Sequence, residues 1–392
     1  MSRDESLGVW LLAIGQTAGF AALVYMFGAI ILALEDGSGW SRAELALGPT
    51  FALLTQAGLV PFSGRLVDRG SGGTLLGGAA VLGGLCLILL SQVSVLWLWY
   101  LLWIVIGVAQ AASLYETCFS FLTRRLGPEA RRGIIRVTLV AGFASTFAFP
   151  LGAWTGAAFG WRGAILVFAA VELLVTLPAN VLGVRLMRRG ERRGGPLVAT
   201  PRGAVRAVLR KPDFWALAGF FGLLMGNHMM LTTFALLILT ERGAAATVAV
   251  FVASTVGPMQ VAGRVLLMLG GARIHAGAAA RAIAIGMSLA SFTLLIATGQ
   301  FALFLVYAIC QGASIGVQSI LRPLLTAEAL GQENFGAMSG ALAMAPLTAS
   351  AAAPFLGALL IGAGGVTLLL SVTLAFALGA FGLALWLRTR GI

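Results

Sequence analysis

Apolar runs of about 20 residues or more follow one another along almost the whole chain, separated only by short breaks of glycine, proline or charge. Such a run crosses the hydrocarbon core of a bilayer as a single helix, which needs about 20 apolar residues. The runs fall approximately at 7–34, 44–65, 73–93, 97–123, 132–159, 163–187, 213–240, 246–269, 277–298, 300–326, 335–362 and 365–387, here numbered spans one to twelve. Their continuity excludes a transmembrane barrel, whose strands are segments of about ten residues with alternating polarity. Helices close their own backbone hydrogen bonds in lipid, so helices are the form expected. Composition agrees: 59% of the 392 residues are hydrophobic and 10% charged, where a soluble domain carries about 45–50% and about 25%. The sequence predicts an all-α membrane protein of twelve transmembrane helices, with no room for a sizeable soluble domain.

Charge predicts the orientation. The formal net charge is +12, and of 26 basic residues only Lys211 is lysine. In a soluble protein this excess would point to nucleic acid. Here the basic residues occupy short loops between apolar runs, so no nucleic-acid partner is expected and the bilayer itself is the partner. With both termini on one side, that side holds 21 of them, and the other only Arg42, Arg162 and Arg242; Arg136 and Arg264 fall within spans. The asymmetry predicts a multi-pass protein of the plasma (inner) membrane with both termini cytoplasmic and an even number of spans. Cys86, Cys118 and Cys310 lie in apolar runs without CxxC spacing, so no metal, disulfide or cofactor is implied. Met1–Leu7 lead straight into the first run, which reads as a span rather than a removed signal.

The polar stretch 188–212 divides the chain into an N-terminal six-helix bundle (1–187), a basic linker and a C-terminal six-helix bundle (213–392). Within the linker, Pro201–Arg210 has the pattern of a basic amphipathic surface helix. The two halves repeat. Trp10 recurs as Trp215, Glu35 as Glu241, Arg65 as Arg264, the LGPE of Leu126–Glu129 as the LGQE of Leu330–Glu333, and Pro150 as Pro354, at offsets of 205, 206, 199, 204 and 204. Parallel repeats about an axis along the membrane normal are a signature of transporters.

Between spans two and three stands GRLVDRGSGG, Gly64–Gly73. It resembles the G-x-x-x-D-R-x-G-R-R pattern of the major facilitator superfamily, with Ser71, Gly72 and Gly73 in place of the trailing residues. The resemblance covers the whole chain at the level of topology and implies a bacterial-type transporter. It further implies a gate formed by Gly64, Asp68 and Arg69, in which Asp68 caps the start of the eleventh helix in the outward-facing state. A carboxylate at a helix N-terminus gains hydrogen bonds and dipole attraction; the alternative is a tight turn with a solvated Asp68–Arg69 pair. The segment EDGSGWSR, Glu35–Arg42, resembles the monocarboxylate and oxalate–formate exchanger branch.

The resemblance implies that spans one, four, seven and ten line the translocation path, and ionisable groups in a bilayer are costly enough to be functional candidates. In span four, Glu116 stands eight residues before Arg124, about 12 Å in from the helix end. A desolvated carboxyl there suits proton carriage, with Arg136 as its partner across the hairpin; the alternative is a purely structural Glu116–Arg136 pair. In span seven, His228 follows Asn227 and precedes Thr232 by one turn, which suits proton coupling, substrate hydrogen bonding, or simple packing. In span ten, Gln311, Ser314, Gln318 and Arg322 share one helix face, which should meet water or another polar surface. Arg322 there suits either a clamp on an anion or a snorkel to the headgroups. Gln16, Tyr25, Gln110 and Tyr115 are further cavity candidates, and Gln260 with Arg264 reads as a degenerate gate in the second half. Glu172, near the middle of span six, reads as a protonated or helix-paired carboxyl.

These features predict a secondary active transporter for a small solute, first an organic anion such as a carboxylate coupled to protons, and second an efflux transporter for amphipathic compounds. No GxxxxGK[ST] phosphate loop is present for an ATP-driven pump. Two isolated histidines do not supply an enzyme's clustered groups, and a non-transporting sensor of the same fold is the remaining alternative. The chain is expected to act as a monomer without a cofactor.

Overall fold

A computed structural model describes residues 1–189, 208–270, 275–330 and 335–390. The basic linker from 190 to 207, including most of the expected surface helix, lies outside the described residues, as do residues 331–333 of the LGQE repeat. The chain divides into two compact units, Met1–Leu197 and Val198–Ile392. Among the described residues there is no strand.

Among the described residues, ten helical stretches are long and apolar enough to cross a membrane. They are Arg3–Ser38, Arg42–Val60, Arg69–Leu90, Leu96–Leu126, Arg132–Arg188, Pro212–Thr233, Ala246–Leu267, Ala276–Ile296, Phe301–Arg322 and Ala341–Thr389. Two of these are of double length and each turns at a glycine, Gly160 (φ 66°, ψ 179°) and Gly365 (φ 68°, ψ −173°). Positive φ puts a Cβ against the following carbonyl, so glycine is the residue that makes these turns without strain. Each double stretch covers two of the sequence spans, five with six and eleven with twelve. Gly160 and Gly365 are 205 positions apart. Gly39 (φ 76°) and Gly243 (φ 90°), which follow spans one and seven, are 204 apart. The repeat is thus written in backbone geometry as well as in sequence.

The turn after span one shows how locally the sequence acts. Gly39 ends the helix in the left-handed conformation, and Ser41 opens the next with a capping box to Glu44. Arg42 donates to Glu35 through Nε at 2.5 Å and Nη2 at 3.1 Å, and Trp40 packs on Trp99 with ring centroids 5.8 Å apart. The EDGSGWSR segment is therefore fully employed as a turn.

In lipid, helices gain little from hydrophobic association with each other, so close packing of small residues carries the interface. A Cβ on Gly107 of span four would overlap the Ala52 carbonyl of span two, and one on Gly312 of span ten would lie 2.5 Å from the Val256 carbonyl of span eight. These two contacts are again offset by 205 and 204 residues. Aliphatic and aromatic side chains fill the remainder: Val9, Leu12, Phe121, Leu122 and Met187 in the first unit, and Phe220, Phe221, Leu224, Met287 and Leu321 in the second.

Several spans are not continuous α-helix. Span one contains a π-turn at Ala21–Tyr25 and span six another at Glu172–Thr176. Span four breaks at Leu114 (φ −84°, ψ −167°) and span seven at Phe234 (φ −107°, ψ 19°).

Gly107→Val and Gly312→Val are each expected to destabilise the protein by roughly 1–3 kcal/mol through overpacking. Gly78→Ala, whose Cβ meets nothing within 4 Å, should be neutral or slightly stabilising by helix propensity. Thermal unfolding in detergent followed by intrinsic fluorescence checks all three.

Candidate functional site

In the first unit, two glutamines cross from one broken helix to the other. Gln110 Nε2 donates to the Leu23 carbonyl inside the π-turn of span one, at 2.7 Å. Gln16 Nε2 donates to the Ser113 carbonyl beside the break in span four, also at 2.7 Å. A π-turn or break leaves backbone carbonyls off the regular ladder, and a buried carbonyl without a donor is costly. Both amides are buried, so their donors are spent on backbone rather than held open for a solute. The tyrosines are half-buried. Tyr115 lies between Phe20 and Phe119 at centroid distances of 4.4 and 4.8 Å, and Tyr25 meets Phe149 edge-on at 6.3 Å.

Glu116 departs from its sequence reading. Its side chain is exposed, because the break at Leu114 restarts the helix one residue earlier and turns this position outward. Arg136 is not its partner either. Its Nη1 donates to Ser6 Oγ at 2.9 Å, and its guanidinium stands 5.7 Å from the Trp10 ring centroid in span one. Hairpin adjacency suggested the wrong neighbour, since spacing along the chain does not say which face span five turns to span one.

In the second unit the structure brings Asn227, His228, Thr232 and Gln311 together. Asn227 Nδ2 donates to Ser291 Oγ and to the Thr373 carbonyl, both at 2.8 Å. Its Oδ1 accepts from Gln311 Nε2 at 3.1 Å. The same Nε2 lies 3.3 Å from His228 Nδ1, and Thr232 Oγ1 lies 3.5 Å from that nitrogen. Four spans, seven, nine, ten and twelve, thus meet in one buried amide–imidazole network. Sequence reading missed Ser291 and Thr373, whose only signal was a hydroxyl or a carbonyl in an otherwise apolar run.

The polar stripe of span ten keeps its helical spacing, and at Gln311 it meets a second polar surface, Asn227 and His228 of span seven. Gln311, Ser314 and Gln318 are all buried, Gln311 against span seven and Ser314 so close to span nine that a Cβ on Gly286 would overlap its Oγ. The stripe meets packed protein instead of open water. Arg322 is half-buried, eleven residues or about 16 Å along the helix from Gln311, and so does not join the histidine network. Near it is Arg264 of span eight, only 5% exposed. Its Nε donates at 3.2 Å to Ser319 of span ten, one turn before Arg322. Gln260, one turn before Arg264, is buried, and a Cβ on Gly316 would overlap its carbonyl.

At the turn between spans two and three, the chain reverses through a π-turn, Val67–Ser71, with Gly70 at φ 98°. Gly64 faces open space and Arg69 is exposed; the Asp68 side chain lies outside the described residues. A Cβ on Gly73 would strike Val184 and the Arg188 guanidinium of span six, which accounts for a glycine at this place. A cavity of about 80 Å³ sits under the turn, bordered by Phe121 and by Arg124, Arg125 and Arg188.

The comparisons with known proteins agree with this architecture. The sequence matches the Major Facilitator Superfamily over residues 9–279. No curated protein sequence matches the chain. Among solved structures, the nucleoside transporter NupG superposes with a TM-score of 0.71 at 13% identity, covering 98% of this chain and 99% of its own. A bacterial homologue of the human lysosomal transporter Spinster, inward-facing and unoccupied, gives 0.66 at 15%, covering 99% and 96%. Neither match singles out the monocarboxylate and oxalate–formate branch. The chain belongs to the major facilitator superfamily and is a multi-pass membrane protein with that transporter fold.

Gln311→Leu keeps the volume but leaves the Asn227 oxygen without its donor. It should cost about 1–3 kcal/mol of stability, the penalty for an unsatisfied buried polar group, whereas Gln318→Leu, whose Oε1 already lacks a partner, should cost less. Paired thermal-unfolding curves measure the difference.

Proposed function

We propose that this chain is a secondary active transporter that moves a small organic anion across the plasma (inner) membrane by proton-coupled alternating access, with both termini in the cytoplasm. The observation that carries the reading is the pair of arginines at one end of spans eight and ten. Arg264 is buried, Arg322 is half-buried one turn beyond Ser319, and no aspartate or glutamate occurs in span eight or between Phe301 and Arg322 in span ten. A guanidinium in a bilayer is retained at high cost, and two of them at one end of neighbouring spans suit a carboxylate held by charge-assisted, bidentate hydrogen bonds. The Asn227–His228–Gln311 network supports the reading from the other direction: it offers uncharged groups for orienting a polar solute and a histidine able to exchange a proton. The excess of arginine at one set of loops supports cytoplasmic termini.

A second reading, efflux of an amphipathic cation, draws on span four. Tyr115 stacks on Phe119 and meets Phe20 at a tilt, and Glu116 is exposed on the turn below Phe119. Aromatic faces with a carboxylate nearby favour a lipophilic cation.

Purified protein in vesicles, under a proton gradient directed inward, separates the two. Small carboxylates are expected to carry protons into the lumen and lipophilic cations are not. Arg322→Gln should raise the KM for the carboxylate about tenfold or more, the loss of one hydrogen bond to a charged group. Proton movement driven by lipophilic cations alone would replace the first reading by the second. Flux surviving in Glu116→Gln would assign the proton elsewhere.

A further inference from the structure

Span six carries a carboxyl that nothing above employs. Glu172 is 0% exposed, and neither of its carboxylate oxygens has a hydrogen-bond partner. Thr176 and Asn180 follow at one and two helical turns, 1% and 0% exposed, and Thr176 Oγ1 and Asn180 Oδ1 are unpartnered as well. The Asn180 amide is anchored, donating at 3.2 Å to the Leu76 carbonyl of span three. This file of oxygens faces span one where glycine replaces a side chain. A Cβ on Gly19 would lie 3.4 Å from Thr176 Cγ2 and 3.9 Å from Glu172 Oε2, and one on Gly15 would overlap Asn180 Oδ1. Glycine makes room for the oxygens here; it does not fill the space with a donor.

No charge offsets the acid. Span one has Arg3, Asp4 and Glu5 in its first turn, about 20 Å from Gly19, Tyr25 beyond, and Glu35 and Asp36 at its far end, where Glu35 holds Arg42. In span three there is Cys86. Arg162, on the helix leading into span six, is engaged with the Ser91 carbonyl at 2.7 Å. Past the break in span four, Tyr115 lies between Phe20 and Phe119, and Glu116 is exposed. On span six itself, Arg185 and Arg188 stand about 20 Å or more along the helix. None of these makes a hydrogen bond or ion pair with Glu172 among the described residues.

An ionised carboxylate with no counter-charge and only the Thr176 hydroxyl one turn away is costly in such a seam. We propose that Glu172 is an exchangeable proton-binding site that locks span six against span one. With the proton bound, the carboxyl is neutral, can exchange a hydrogen bond with the Thr176 hydroxyl one turn on, and the glycine-lined seam stays closed and dry. Loss of the proton to water, as hydronium, leaves a carboxylate that must be hydrated, so the seam opens along the Thr176–Asn180 file, which runs toward Arg185 and Arg188. The seam is built to yield. Glu172 begins one π-turn, and another follows Gly19 by two residues; such turns carry one extra residue per turn and mark places where helix register shifts at functional sites. Proton occupancy of Glu172 is independent of the substrate, and its use as the coupling proton rests on the transporter reading above.

The full chain in lipid vesicles tests this in two ways. Infrared difference spectra between low and high pH should contain a protonated-carboxyl band that is lost on alkalinisation and is missing from Glu172→Gln. Spin labels at Leu7→Cys and Leu182→Cys, both exposed positions on spans one and six, should move apart as pH rises in the parent and stay at the low-pH distance in Glu172→Gln. A band unchanged in Glu172→Gln, a label distance that follows pH equally in both, or a carboxylate band at every pH that sodium rather than protons shifts would each overturn the proposal. Should Glu172→Gln fail to fold, Glu172→Asp keeps the acid and must displace the band; an undisplaced band overturns the assignment. If both spectroscopic results hold while no solute moves protons, the transport reading fails and the proton site stands.

Discussion

A backbone carbonyl in lipid has no water to fall back on, and this fold follows from how its interrupted helices meet that constraint. A continuous helix closes its own hydrogen bonds, but a span that breaks exposes acceptors at membrane depth. Here the breaks are answered from neighbouring spans. The π-turn of span one is met by Gln110, and the break of span four by Gln16. The two helices therefore hold each other's irregularities, and neither amide can be removed without leaving an acceptor unpaired. Gln311 stands in the related place in the second half, close to the counterpart of Gln110, and its partners Asn227 and His228 lie 205 residues beyond Ala22 and Leu23. The scaffold has kept a glutamine reaching from the fourth helix of each half to the first. In the first half it holds a backbone atom; in the second it holds side chains that have chemistry of their own.

Helices so tied must lie close together, and glycine permits it. Gly107 and Gly312 sit at matching positions where a Cβ would meet a carbonyl of the neighbouring span. The turns at Gly160 and Gly365 reuse one backbone conformation at an offset of 205. These are positions where the repeat survives because geometry admits one residue type. The side chains that distinguish the halves have diverged around them.

Much of this was legible in the sequence, for a reason that also sets its boundary. The spans, the repeat and the polar face of span ten follow from length and periodicity, which lipid enforces strictly. Asn227, His228, Thr232 and Gln311 could be proposed together because each is a polar residue in a costly place. What periodicity cannot supply is the direction in which a face points. Gln311, Ser314 and Gln318 keep their spacing, yet they face packed helices; Arg136 meets Ser6 and Trp10 rather than Glu116. Glu116 itself was misplaced by a break at Leu114 that no proline or glycine announces. The stripe Glu172, Thr176, Asn180 recurs at one-turn spacing, as the polar face of span ten does, and could have been read the same way.

The halves differ most in the sign of what they bury. The first unit holds an acid, Glu172, against a glycine-lined helix, and the second holds a base, Arg264, against a serine. Each charge type is tolerated on different terms. A carboxyl can become neutral by taking a proton, so it can be enclosed without a partner, and its enclosure depends on pH. A guanidinium stays charged at any physiological pH, so it can be enclosed only with acceptors such as the Ser319 hydroxyl. Under the two proposals above, a repeated scaffold carrying one group of each kind would hold a proton site on one set of six helices and an anion site on the other. That division explains why a duplicated fold would keep its glycines in register while letting its ionisable residues drift apart.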